Sequence, residues 1–211
     1  MKEPKETTKT KWREYGESLL IAVIIALIVR SFFLQAFKIP SSSMEPTLLI
    51  GDHLLVNRLS YVAKVPFADT VLFHLGEPAR GDVVVFRWPK DRSKDFIKRV
   101  IATEGETLEI KNKTIFVNGK RIEDSWGFFQ DTNLFQTQIP RKDNFGPVKV
   151  PKDSIFVMGD NRDRSDDSRF WGFVHRDDLV GKALIIYFSW DHTASNPIEY
   201  IRWTRFGKLI R

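Results

Sequence analysis

Eleven apolar residues stand in a row from Leu19 to Val29, and after Arg30 the stretch SFFLQAF extends the apolar character to Phe37. A run with no polar face does not read as the one-sided helix of a soluble core. From Ser18 to Phe37 it has about the 20 residues that cross a bilayer core, with Arg30 able to snorkel to an interface. The strictly apolar part is also the size of the hydrophobic region of a cleaved export signal, but no small-x-small cleavage site follows it. The expectation is a retained transmembrane anchor over 18–37. Lys2, Lys5, Lys9, Lys11 and Arg13 precede it and only Lys38 lies close behind, which predicts residues 1–17 as a cytoplasmic tail and everything from Lys38 onward outside the cytoplasmic membrane.

Beyond the anchor the period changes. Short runs (HLLVNRL, VVVF after Gly81-Asp82, FIKRVIA, TLEIKNKTIFVNGKRIE) alternate with turn signals, and Asn118-Gly119 is a hairpin turn because both positions tolerate positive φ. Asn112-Lys113-Thr114 fits a glycosylation triplet that is common by chance, and is placed for a second hairpin turn. Ser125 to Val148 has no clear period and is expected to form loops or an excursion between strands. The C-terminal YIRWTRFGKLIR suits either a headgroup-contacting segment or a terminal strand. With 17 Phe, 6 Trp and β-branched runs, the expectation is a mainly β, antiparallel body; 211 residues suffice for one core with a smaller appended module.

Composition removes several chemistries. The net charge of +6 is scattered among 27 acidic residues and forms no basic block, so charge by itself decides nothing about partners, and no nucleic-acid partner is expected. There is no Cys, which excludes disulfides, thiolate nucleophiles and cysteine-ligated zinc. A calcium loop beginning at Asp163 fails, because Ser168 and Val174 occupy the positions that need Gly and Glu.

Three segments carry chemistry. In IPSSSMEPTLLIGDHLLV, Pro40 and Pro46 restrict the backbone around Ser41, Ser42 and Ser43; a Ser/Pro linker is the plain reading, which Met44, Leu48 and the apolar run after Gly51 oppose. In DFIKRVIATEGE, strand alternation puts Lys98 between Phe96 and Val100, where its amine either snorkels to water or is desolvated into a neutral base. A serine hydroxyl needs such a base, and none of His53, His74, His175 and His192 stands in a triad-like motif, so a Ser-His-Asp enzyme is the weaker reading. The third segment, VPKDSIFVMGDNRDRSDDSRFWGFV, runs from a strand into a dense polar loop whose charges also suit a solvated turn.

In this order, SSSMEPTLLIGD, FIKRVIATEGE and GDNRDRSDDSRFWGFV resemble the serine, lysine and late boxes of bacterial type I signal peptidases, over a stretch from the anchor to about Trp190. The resemblance implies Ser43 as acylated nucleophile, Lys98 as general base, Ser41 as oxyanion donor and Ser165 as the hydroxyl that orients the lysine. Asp160, Asp167, Arg169 and Arg99 match charged positions that shape the site. It implies an antiparallel catalytic core from 38–102 and 151–211 with an inserted β-hairpin-rich domain at 103–150, no cofactor or metal, and secretory preproteins as substrates, with the bilayer and, indirectly, the export machinery as partners. This sequence has one clear membrane segment where better-known members have two. Two rivals stay open: a self-cleaving Ser-Lys repressor, which requires a DNA-binding or soluble arm, and a non-enzymatic membrane-tethered β-domain, which makes Ser43 and Lys98 dispensable.

Overall fold

The computed structural model describes residues 11–64, 70–130, 140–194 and 196–211, without the side chains of 11–12, 26–32, 140–141 and 197–198. It opens with helix α1 (Lys11–Phe32), whose described side chains from Arg13 to Ile25 are all exposed and pack into no core. Among the described residues no helix is long and apolar enough to cross a membrane.

The helix ends earlier than the apolar pattern predicts. Leu34, Gln35, Ala36 and Phe37, expected within the anchor, belong to strand β1 (Leu34–Lys38), paired antiparallel with β2 (Asp52–Asn57). Two effects redirect the chain: Phe37 packs on the core beside Ile39 and Leu54, and the ladder to β2 absorbs the backbone hydrogen bonds of the segment. The Arg58 N–H donates to the Phe33 carbonyl at 3.0 Å, closing the join between helix and sheet.

A short hairpin of β3 (Val62–Lys64) and β4 (Val71–His74) follows, then β5 (Val83–Trp88) and β6 (Asp91–Ala102). Next come β7 (Thr107–Lys111), β8 (Thr114–Val117), β9 (Lys120–Arg121), helix α2 (Pro140–Asp143) and β10 (Phe145–Lys149). The chain finishes with β11 (Ser154–Met158), α3 (Ser168–Trp171), β12 (Val174–His175), β13 (Leu179–Ser189) and β14 (Lys208–Leu209). The main sheet runs β1-β2-β13-β5-β6-β11-β12 with β14 added to β13, and each of these pairings is antiparallel.

β5 explains its own composition. Val83 and Val85 enter one apolar cluster with Ile39, Met44 and Leu54, while Val84 and Phe86 enter another with Val100, Val157 and Leu179. A strand buried on both faces reads as a continuous apolar run, as VVVF does.

The second sheet, β10-β7-β8-β9, is built wholly from residues 107–149. Both of its tight turns have positive φ at two consecutive positions, Asn112 with Lys113 and Asn118 with Gly119, as a two-residue hairpin requires. Leu108, Ile110, Ile115 and Val117 share a cluster with Ile101, Phe156 and Met158 of the main sheet. At roughly 1.5–3 kcal/mol per buried aliphatic side chain, that shared core fixes the second sheet against β6 and β11.

Part of the stretch expected to be loops is a strand: Phe145–Lys149 pairs with β7, with a register irregularity between Phe145 and Val148 around Gly146-Pro147 that hides the alternation. Residues 131–139 of that stretch lie outside those described. At the C-terminus Lys208–Leu209 adds a short strand to β13, while Trp203 remains 64% exposed.

Candidate active site

Ser43 lies in a single turn of 3-10 helix, Ser42–Met44, that follows Pro40 and is capped by an extended Ser41. Ser43 and Met44 face inward, and Met44 anchors the turn in the core between Ile39 and Leu48. The Leu48 N–H donates to the Met44 carbonyl, so the segment is folded and packed, unlike a linker.

Lys98 projects from β6, where it pairs with Val84, and the residue is only 4% exposed. The desolvated alternative is the one realised. Nζ and the Ser43 Oγ are 2.7 Å apart and buried. Burial pushes the Lys98 amine down from its ordinary 10.5 to about 8, against the opposing pull of Asp167, Asp166 and Asp160; Arg169 adds to the lowering. Oγ therefore stands beside an amine that is neutral in a usable fraction near neutral pH. The four histidines lie elsewhere: His53 packs on Tyr187 and Phe188, His192 is near Trp190, and both His74 and His175 face Asp177.

The loop after β11 closes over the pair and carries most of the remaining charges. Asp160 accepts a forked pair of hydrogen bonds from Arg99, Nε to Oδ1 at 2.7 Å and the terminal nitrogen to Oδ2 at 2.6 Å. The Thr47 hydroxyl donates to the same carboxylate at 2.6 Å, which ties the segment just beyond Ser43 to this ion pair. The Arg99 guanidinium also donates to the Gly81 carbonyl and lies 4.8 Å from the Trp126 ring centroid. Asp167 is held likewise by Arg169, at 2.9 Å on each oxygen. Burial alone pushes the Asp167 carboxyl up, but the Arg169 charge and the hydrogen bonds from Arg169, Ser165 and Gly159 outweigh it and hold the group below its ordinary value. Both ion pairs are completely dry or nearly so, and each has the two-pronged geometry that makes a buried pair tolerable.

Ser165 is buried in this loop, but its hydroxyl serves Gly159 and Asp167: it accepts from the Gly159 N–H at 3.2 Å and donates to the Asp167 carboxylate. Among the described residues, the hydrogen bond that Lys98 Nζ makes is the one to Ser43. Ser41 is exposed and its hydroxyl makes no capping bond, so it is available to a ligand.

Several contributors carry no signal that singles them out in the sequence. A Cβ on Gly159 would fall 2.4 Å from both the Ser43 carbonyl oxygen and the Ser165 Oγ, so only glycine permits the loop to close this tightly. Asn161 donates to two carbonyls of the Ser42–Met44 turn. Arg162, 1% exposed, pairs with Asp124 and so bolts the late loop to the segment before residue 131, which itself bridges through Phe128 to Asn161. The one hint was their place inside the GDNRD string.

Comparison with known proteins places these boxes in context. Residues 12–190 match a family model described as signal peptidase, peptidase S26. A signal peptidase I of Pseudomonas fluorescens is 38% identical over 206 residues, covering 84% of this chain and 72% of that protein. Signal peptidase I P of Bacillus subtilis subsp. natto is 34% identical over 181 residues, covering 85% and 90%. A crystal structure of a signal peptidase I from Enterococcus faecalis is similar over 50% of this chain and 96% of that one, with 28% identity and a TM-score of 0.41.

Proposed function

The chain belongs to the signal peptidase family, peptidase S26, and is a serine endopeptidase that removes signal peptides from secreted preproteins; from that premise we propose that Ser43 is its nucleophile and Lys98 its general base. The observation that carries this reading is the buried 2.7 Å approach of Nζ to Oγ. That separation is within the range for direct proton transfer between an amine and a hydroxyl, which supports the reading.

Neutral Lys98 takes the hydroxyl proton as Ser43 Oγ adds to the scissile carbonyl carbon. The oxyanion that forms is met by the Ser43 N–H and the Ser41 hydroxyl. Collapse expels the amine, which takes the proton from Lys98, and leaves the acyl group on Ser43. Lys98 then removes a proton from water, the hydroxide equivalent adds to the ester, and Ser43 departs with the proton returned. In this scheme Asp160, Arg99, Asp167 and Arg169 fix the late loop and β6, and Ser165 braces the loop through Asp167, orienting Lys98 by way of that carboxylate.

The same proposal takes α1 as a membrane anchor, with its N-terminus in the cytoplasm and the β body on the extracytoplasmic face. The helix has 22 residues, and Leu19, Leu20, Ile21, Ile24 and Ile25 are exposed with no protein cover. Its segment Ser18–Phe32 is roughly 22 Å long at 1.5 Å per residue, short of the ~30 Å core by an amount that local thinning of the bilayer accommodates. Preproteins with small residues at the first and third positions before the cut follow from the family resemblance.

Cleavage of a preprotein in detergent by wild type, Ser43→Ala and Lys98→Ala tests the dyad. Loss of about 10²–10⁴-fold or more is expected in both variants. Near-normal turnover by either one overturns the assignment.

A further inference from the structure

We propose that Asn161 is a positioning residue that aims the Ser43 N–H at the developing oxyanion, an inference that rests on the Ser43–Lys98 reading above. Asn161 is fully buried, and it grips the nucleophile's turn at two adjacent carbonyls. Its side-chain Nδ2 donates to the Ser42 oxygen at 3.2 Å, and its backbone N–H donates to the Ser43 oxygen at 3.1 Å.

The consequence is stereochemical. In a trans peptide the C=O and N–H of one unit point in opposite directions. The unit whose carbonyl Asn161 clamps is the one between Ser42 and Ser43, so the N–H on its other edge belongs to Ser43. Holding the carbonyl towards the buried loop turns that N–H away from the loop. The first N–H groups of a helical turn have no acceptor inside it, which leaves this donor for a ligand. The Glu45 N–H also donates to the Ser42 oxygen, at 3.1 Å, so two donors converge on the one carbonyl. Hydrogen bonds accepted at a peptide oxygen polarise the unit and strengthen its N–H as a donor.

Asn161 is itself fixed from both sides. The Arg164 N–H donates to its carbonyl at 3.1 Å, and Phe128 bridges to it in parallel register. The closeness of Gly159 to the Ser43 carbonyl brings the loop within reach. The Asn161 Oδ1 is buried and makes no hydrogen bond among the described residues, so the side chain acts through its donor end alone. An aspartate there would keep the shape and present an acceptor to the Ser42 carbonyl. Asn161 has no hydrogen bond to Lys98 or Ser165, so its effect is separable from proton transfer.

The experiment compares wild type, Asn161→Leu and Asn161→Asp as full-length enzyme in detergent, with Ser43→Ala as control. Four quantities are read: kcat and KM on a preprotein, the pH profile of Asn161→Leu, the affinity of a substrate-derived peptide aldehyde that adds to Ser43, and the affinity of the same peptide ending in an amide. Losing a direct oxyanion donor costs roughly 10²–10³-fold; an indirect one should cost about 10- to 100-fold in kcat, with KM within about threefold. Aldehyde affinity should fall in step with kcat, amide affinity should hold, and the acid limb of Asn161→Leu should not move. The aldehyde-to-amide ratio is a property of the folded fraction, so it reports even on a variant that folds poorly.

A kcat within twofold of wild type in both variants overturns the proposal. Equal loss of aldehyde and amide affinity also overturns it, because that is general damage to the site. Activity surviving in Ser43→Ala would instead remove the dyad reading itself, whereas an inactive Ser43→Ala beside a fully active Asn161→Leu removes only the role of Asn161.

Discussion

At the scale of single residues, Lys98 sets the sign of the pH response. In the proposed mechanism its neutral form is the base, and burial brings its pKa down to about 8. Below that value the active fraction falls tenfold per pH unit, so kcat/KM should rise with slope one through neutral pH and level off above about 8. A pH–rate profile in detergent checks this, and an acid limb absent down to pH 5 would remove Lys98 from its role. The same shift has a stability side. A lysine whose folded pKa lies below its ordinary 10.5 is protonated more readily in the unfolded chain between the two values, so wild-type stability should rise as pH climbs from about 8 to about 10.5. At 1.36 kcal/mol per pH unit the penalty carried at pH 7 is about 3 kcal/mol. Lys98→Met should therefore be inactive yet up to that much more stable at pH 7, with the gap closing by pH 10.5, as read by denaturant unfolding. A variant less stable than wild type at pH 7 would mean that the contact to Ser43 outweighs desolvation.

At the scale of elements, the Arg99–Asp160 pair joins β6 to the loop after β11 and, through Thr47, to the segment that carries Ser43. Both partners are 0% exposed. Asp160→Ala strands a dry guanidinium and should cost about 3–5 kcal/mol, whereas Arg99→Met with Asp160→Leu should recover much of that while leaving the Thr47 tie broken and activity low. Unfolding curves beside turnover separate the two effects; equal stability of single and double variants would show that the charges are not the issue. The hairpins at Asn112-Lys113 and Asn118-Gly119 were legible because their turn chemistry is local. β1 and β10 were not: β1 is as apolar as the helix before it, and β10 has its pattern broken at Gly146-Pro147, so only pairing with β2 and β7 identifies them. Within the site, Ser43 and Lys98 stand out as side chains in unlikely surroundings, and Asp160, Asp167, Arg99 and Arg169 come with the boxes. Gly159 and Asn161 act by close approach across more than a hundred residues of chain, which no local pattern records.

At the scale of the whole molecule, the proposed anchoring makes the join between helix and sheet the element that would set how the site meets a membrane-held substrate. Only Phe33 separates α1 from β1, and its carbonyl is tied to Arg58. Eleven residues lead from Phe32 through β1 to Ser43, so at about 3.3 Å each Ser43 lies no more than roughly 36 Å from the end of α1. If α1 is the anchor, the site is held close to the lipid surface, where the cleavage region of an exported precursor emerges. Ten Gly/Ser residues inserted between Phe32 and Phe33 would lengthen that tether by an r.m.s. of about 18 Å without touching the Phe33–Arg58 bond. A soluble peptide in detergent should then be cut at the wild-type rate, while a preprotein embedded in vesicles should be cut several-fold more slowly, because the effective concentration of site and substrate falls with tether length. In the same vesicles the full chain should resist alkaline extraction, and proteolysis within the inserted linker should release the β body. Equal slowing of both substrates would mean the insertion has harmed the fold, and no slowing of either would mean that the short join plays no part in presenting the substrate.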